Sequence, residues 1–137
     1  MDKTNVRELQ DVVIRFSGDS GDGMQLVGNM FSNLSAFIGN SISTFPDYPA
    51  EVRAPKGTLS GVSGFQVHLG AEGVYTPGDK ADVLVAMNPA ALKVNVKNIK
   101  KNAVVIFDTD SFLKSDLEKA LFTTDDPFTE LGLGSCP

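Results

Sequence analysis

Residues 11–16 (DVVIRF) form a short apolar run bounded by a Gly/Asp/Ser cluster, the pattern of a buried strand that ends at Ser17. From Met24 the spacing changes. Leu26, Met30, Leu34 and Ile38 recur every four positions with Val27 and Phe31 beside them, which predicts a helix with this stripe turned inward and a stop at Gly39-Asn40. Phe65, Val67 and Leu69 then alternate with Gln66 and His68, as in a strand with one wetter face. Residues 83–87 are a second continuous apolar strand. Asn88 offers a capping oxygen and Pro89 lacks the amide that a first helical turn leaves unpaired, so a helix starts there. Its buried stripe is Leu92, Val96 and Ile99, with Lys97, Lys100 and Lys101 at the negative end of its dipole. Residues 103–107 are another apolar strand, and Ser111 caps a further helix whose inner side carries Leu113, Leu117 and Leu121.

Strands alternating with helices imply an α/β fold: a three-layer, mostly parallel sheet with helices on both faces, Rossmann-like in arrangement. Two stretches depart from that regularity. Residues 44–64 hold three prolines and three glycines over a span far beyond the usual connection, which points to a functional loop or a partner surface. The carboxyl end, 132–137, reads as a turn where the alternation calls for another strand, which predicts a piece of something longer.

With 137 residues, 42% of them hydrophobic, the chain can bury a single core without disulfides or a structural metal. The net charge of −5 and scattered basic residues give no footprint for nucleic acid or an anionic membrane. The lone Cys136 excludes a Cys-rich zinc or iron–sulfur site built from this chain alone. A polar segment at 1–10 and the absence of a long apolar run predict a cytoplasmic protein with no membrane span.

Four features are weighed for candidate chemistry. Gly18-Asp19-Ser20-Gly21-Asp22-Gly23 lies between the first strand and helix, where doubly wound folds bind phosphates. Its spacing is neither G-x-G-x-x-G nor that of a Walker loop, and Asp19 and Asp22 oppose an anion, so a tight turn with acids at a helix start competes with a ligand or partner edge. Asp108-Thr109-Asp110 after an apolar strand resembles the D-x-D motif of haloacid-dehalogenase-like phosphatases, which makes a small phosphotransfer enzyme the alternative reading; a plain strand end with a helix cap also fits. His68, without a second ligand near it in sequence, is read as a surface or packed histidine. Arg53 and Lys56, in the long Pro/Gly stretch, are the cations suited to a phosphate or partner contact.

Three segments together, 13–23 (VIRFSGDSGDG), 44–58 (TFPDYPAEVRAPKGT) and 61–68 (GVSGFQVH), resemble the amino-terminal gamma domain of 2-oxoacid:ferredoxin oxidoreductases, most of all the alpha subunit of the 2-oxoglutarate type. The resemblance implies a gamma domain over residues 11–137, incomplete by its last strand and helix. It also implies a complex that decarboxylates a 2-oxoacid on thiamine diphosphate with Mg, passes electrons through an iron–sulfur cluster to ferredoxin, and makes an acyl-CoA. The implied partners are the remaining alpha domain and the beta subunit, which hold those cofactors. This chain alone is then expected to be inactive and to serve assembly, with Arg53 and Lys56 as candidates for a coenzyme A or partner contact. Where many family members read Gly-Gly-Gln-Gly in the first loop, Asp19 and Asp22 stand here; where many read Arg-Gly-Gly, Arg53 is followed by Ala54-Pro55.

Overall fold

The computed structural model describes residues 8–19, 21–47 and 62–133. Strands β1 (Asp11–Asp19), β2 (Ser41–Asp47), β3 (Val62–Gly70), β4 (Ala81–Ala86) and β5 (Ile99–Phe107) form one sheet in the order β2-β3-β1-β4-β5. β4 runs parallel to both β1 and β5, whereas β3 runs antiparallel to both β1 and β2. The sheet is therefore parallel on one side of β1 and antiparallel on the other.

Side-chain alternation along β1 sends its residues to two cores. Phe16 joins Phe65, Val67 and Met24, the last from helix α1 (Met24–Phe37). Val13 joins Leu84, Ala86, Ala91 and Leu92 on the opposite face, the last two from helix α2 (Pro89–Asn95). Helices α3 (Lys114–Lys119) and α4 (Pro127–Glu130) extend that second layer, with Leu117, Ala120 and Phe122 packed on Ala90 and with Phe107, Phe112 and Phe128 in mutual ring contact. Helices thus lie on both faces, as the alternation predicted. None among the described residues is long and apolar enough to cross a membrane.

Several local expectations change. β1 does not end at Ser17, because Gly18 and Asp19 pair with Ser63 and Val62 of β3. Part of the stretch read as irregular is β2, an edge strand in which Pro46 is tolerated because an edge needs fewer backbone donors. The wetter face of β3 is not wet: Gln66 is buried. α2 stops at Asn95, a 3-10 turn spans Val96–Asn98, and Ile99 already belongs to β5. Lys100 and Lys101 are therefore strand residues and do not sit in a last helical turn; Lys100 pairs with Asp82 at 3.0 Å. Lysine on an outer strand guards an open edge, which the local sequence reads as helix-end charge. The helix expected after Ser111 is a 3-10 turn (Thr109–Ser111) followed by α3, which buries Leu117 and leaves Leu113 and Leu121 exposed.

The largest departure is α1. Its predicted inner stripe faces outward: Leu26, Met30, Leu34 and Ile38 are all more than 60% exposed. The side against the sheet carries Met24, Gly28, Ser32 and Ser35. Gly28 explains the choice, since a Cβ there would lie 2.2 Å from Cδ1 of Phe65. The helix backbone rests directly on that ring, and Ser32 Oγ donates to the Gly28 carbonyl at 2.8 Å, so the small polar residues are satisfied. Small residues win the inner face because they allow the closer approach.

This packing sets two opposite expectations. Gly28→Ala gains helix propensity of about 1 kcal/mol, but overpacking against Phe65 costs about 1–3 kcal/mol and more where the backbone must retreat. Urea unfolding should show Gly28→Ala destabilised by about 2 kcal/mol, with Leu34→Gln within about 0.5 kcal/mol of the parent. A neutral Gly28→Ala would contradict the packing described.

Candidate functional site

β1 and β4 are parallel neighbours whose following helices leave to opposite faces of the sheet. Such a switch point opens a crevice at the carboxyl ends of the strands, where α/β folds place ligands. Here it is a cleft of about 160 Å³ lined by Asp19, Asn88, Pro89, Ala90, Asp116, Lys119 and Ala120. Asn88 caps α2 as predicted, its Oδ1 accepting from the Ala91 amide at 2.8 Å with Pro89 in the first turn. The same side chain lies beside Asp19 in the cleft, where it favours the Asp19 carboxylate. Burial raises the Asp19 pKa, the Asp22 charge raises it further, and the Asn88 bond works against both.

The glycine loop closes on itself. Asp22 Oδ2 accepts from the Asp19 amide at 2.7 Å, the Asp22 amide donates to the Asp19 carbonyl at 3.0 Å, and Gly23 enters α1 with a φ of 74°, in the left-handed region that favours glycine. The Asp22 carboxylate thus closes the turn on the amide at the end of β1, and no described side chain caps the start of α1. Lys119 supplies the cleft's cation, 3.6 Å from Asp116, so the cleft as a whole is acidic and does not suit a phosphate. Among the described residues no group of three His, Cys, Asp or Glu could hold a metal.

A second polar centre lies beneath the sheet face that α2 covers, and its residues gave no signal in the sequence. Arg15 of β1 is buried; its Nε donates to Asn95 Oδ1 of α2 at 2.5 Å and its Nη1 to Gln66 Oε1 of β3 at 3.2 Å, while Nη2 bonds Asp47 at the end of β2. Asn95 Nδ2 donates to Ser17 Oγ and to the Ala91 carbonyl, each at 2.7 Å, and Ser17 Oγ donates to the Ser63 carbonyl at 3.2 Å. Gln66 Nε2 donates to the Pro77 and Gly78 carbonyls at 2.7 Å. A hollow of about 370 Å³ opens beside this cluster, between Phe45, Asp47, Asp79 and Asn98. Among the described residues no buried side-chain N or O lacks a partner, so the buried members of the cluster satisfy one another, while Arg15, Gln66 and the half-exposed Asp47 line the hollow.

His68 has a place that the sequence did not reveal. Its Nε2 meets Asp11 Oδ2 at 2.7 Å and its Nδ1 meets the Thr76 carbonyl at 2.6 Å. Both neighbours only accept, so both ring nitrogens donate and the imidazolium form fits the site. Burial pulls the His68 pKa down and Lys100 opposes the charge, but the two hydrogen bonds and the Asp11 charge outweigh them and the net shift is upward. The Asp108-Thr109-Asp110 pair is a cap: Asp108 accepts from the Asp110 amide at 3.1 Å and from Ser111 Oγ at 3.0 Å, which uses both its carboxylate oxygens. Both oxygens are thus engaged in the turn, and this favours the capping reading over phosphotransfer. Arg53, Lys56 and Cys136 lie outside the described residues.

An α/β domain with an acid-closed glycine loop and no cofactor cradle among its described residues is the class that this geometry defines. Residues 13–133 match the pyruvate ferredoxin/flavodoxin oxidoreductase family, and the chain belongs to it. It is 52% identical over 118 residues, 86% of this chain, to the 2-oxoglutarate oxidoreductase subunit KorA of Mycobacterium tuberculosis, and spans only 18% of that protein. Among solved structures, 2-oxoglutarate:ferredoxin oxidoreductase of Magnetococcus marinus, with 2-oxoglutarate, coenzyme A and succinyl-CoA bound, matches 74% of this chain and 17% of its own at 29% identity and a TM-score of 0.64. The keto/oxoacid ferredoxin oxidoreductase gamma subunit of Geobacter sulfurreducens shares the fold, with a TM-score of 0.59 and 23% identity over 74% of this chain and 53% of its own.

The histidine clasp predicts a pH dependence. A pKa raised on folding adds stability that is complete below the unfolded value of about 6.5 and is lost as pH rises through the folded value. Thermal melts should therefore show stability falling as pH rises above about 6.5 in the parent and a flatter profile in His68→Gln. Identical profiles would remove His68 from the account.

Proposed function

We propose that the chain is an accessory gamma-type domain of a 2-oxoacid:ferredoxin oxidoreductase, of the 2-oxoglutarate type, that serves assembly and forms one wall of the coenzyme A site. The 52% identity to KorA over 118 residues carries this reading. The acidic crevice, where Asp19 and Asp116 stand beside Lys119, its single cation among the described residues, does not favour a diphosphate. On this reading, thiamine diphosphate, Mg and the iron–sulfur cluster are held by partner polypeptide. Ferredoxin receives electrons through the complex, and the isolated chain is inactive. Arg53 and Lys56 are the cations assigned to coenzyme A phosphates or to the partner surface, since the acidic crevice does not suit that charge.

The test reconstitutes the domain with the remainder of the subunit and the thiamine-dependent partner, and follows ferredoxin reduction that requires both 2-oxoglutarate and coenzyme A. Arg53→Ala should raise the apparent Kd for coenzyme A about tenfold, or weaken assembly to the same degree, which is the worth of one charge-assisted contact of roughly 1.5 kcal/mol. The melting temperature of the isolated domain should stay unchanged. Equal assembly, affinity and turnover in Arg53→Ala would overturn the assignment of Arg53, and turnover that does not depend on this domain would overturn the proposed role.

A further inference from the structure

On the outer side of α1, Leu26, Val27, Met30, Leu34, Phe37 and Ile38 stand together, all of them exposed, from 41% at Val27 to 88% at Phe37. Val27, Met30, Leu34 and Phe37 follow one another at steps of three, four and three, the spacing with which one helix meets another in 3-4 packing. The chain is 21% charged, yet residues 24–46 contain no Asp, Glu, Lys or Arg. A surface without cations suits neither nucleic acid nor an anionic bilayer, and its complement is an uncharged protein face. The direct contact of Gly28 with Phe65 fixes α1 against the sheet, so the outer face is a rigid platform.

Two sources could cover it: a second copy or other polypeptide of the assembly. Six bulky residues fall well short of the roughly 20–30 per side of a stable specific interface, so pairing through α1 alone gives a weak dimer. Within a longer chain, by contrast, covalent linkage lets a patch of this size hold two domains together. The matched stretch is only 18% of KorA, which leaves most of such a subunit available to cover it. We propose that the outer face of α1 docks an uncharged, apolar helix face contributed by the rest of the oxidoreductase subunit. This rests on the accessory-domain reading above.

The test exchanges the matched 118 residues of full-length mycobacterial KorA for the corresponding residues of this chain, and compares thiol alkylation of Met30→Cys in that protein and in the isolated chain carrying Cys136→Ser. Tyr75→Cys, at a site 89% exposed, is the reference for free access. The expected result is alkylation at Met30→Cys slowed roughly tenfold or more in the full-length protein and rapid in the isolated monomer. Leu34→Glu in the full-length protein should restore rapid alkylation at Met30→Cys. Equal rates in the two settings would overturn the proposal. So would slow alkylation in the isolated chain together with a doubled native mass, which would assign the face to a second copy. An inactive full-length protein whose Met30→Cys is shielded would count against the proposed function while leaving this docking surface in place.

Discussion

One buried cation organises the molecule. Arg15 lies on the strand where the parallel and antiparallel halves of the sheet meet, and it holds Asn95 of α2, Gln66 of β3 and Asp47 at the end of β2. A guanidinium out of water is tolerable only when its donors are occupied, and removing one partner of a buried charge costs about 3–5 kcal/mol. That penalty fixes the relative position of three strands and a helix more tightly than apolar contact alone, because hydrogen bonds are directional and the apolar contacts are not. Asn95 carries the constraint on to Ser17 and so to the end of β1, where the glycine loop begins.

The surfaces follow from this interior. With β1 held by α2 on one face, the other face is left to α1, whose small residues let it settle onto Phe65 and turn its bulky side chains outward. The same end of β1 places Asp19 at the switch crevice beside Asp116, so the position where α/β folds bind ligands carries acidic side chains. The interior of this domain is finished and its exterior leaves apolar surface open. Polar groups in its core are satisfied, while apolar groups on α1, and Val104 and Ile106 on the outer strand β5, are exposed.

Local rules made much of this legible. The apolar runs at β1 and β4, the Asn88-Pro89 helix start and the α/β alternation depend on neighbours in sequence, and each was readable there. α1 was placed correctly but faced the wrong way, because the period of a helix tells which residues share a side and not which side is buried; Gly28 and Ser32 decide that through contact with a distant strand. β2 and the first half of β5 were missed because edge strands carry Ser, Thr, Pro and Lys in place of continuous apolar residues. The Arg15 network left no trace, since Arg15 and Asn95 are 80 positions apart and a satisfied polar core has no period. The family resemblance was legible in segments that share motifs, including 44–58, most of which lies outside the described residues.

The central claim is that Arg15 and Asn95 act together as the junction between the sheet and α2. A double-mutant cycle measures that coupling with the least inference: urea unfolding of the parent, Arg15→Met, Asn95→Ala and the double variant. A working junction predicts that the second substitution costs much less once the first is present, with a coupling of about 1–3 kcal/mol. Costs that add to within about 0.5 kcal/mol would contradict it and leave the apolar cores as the sole organisers of the fold.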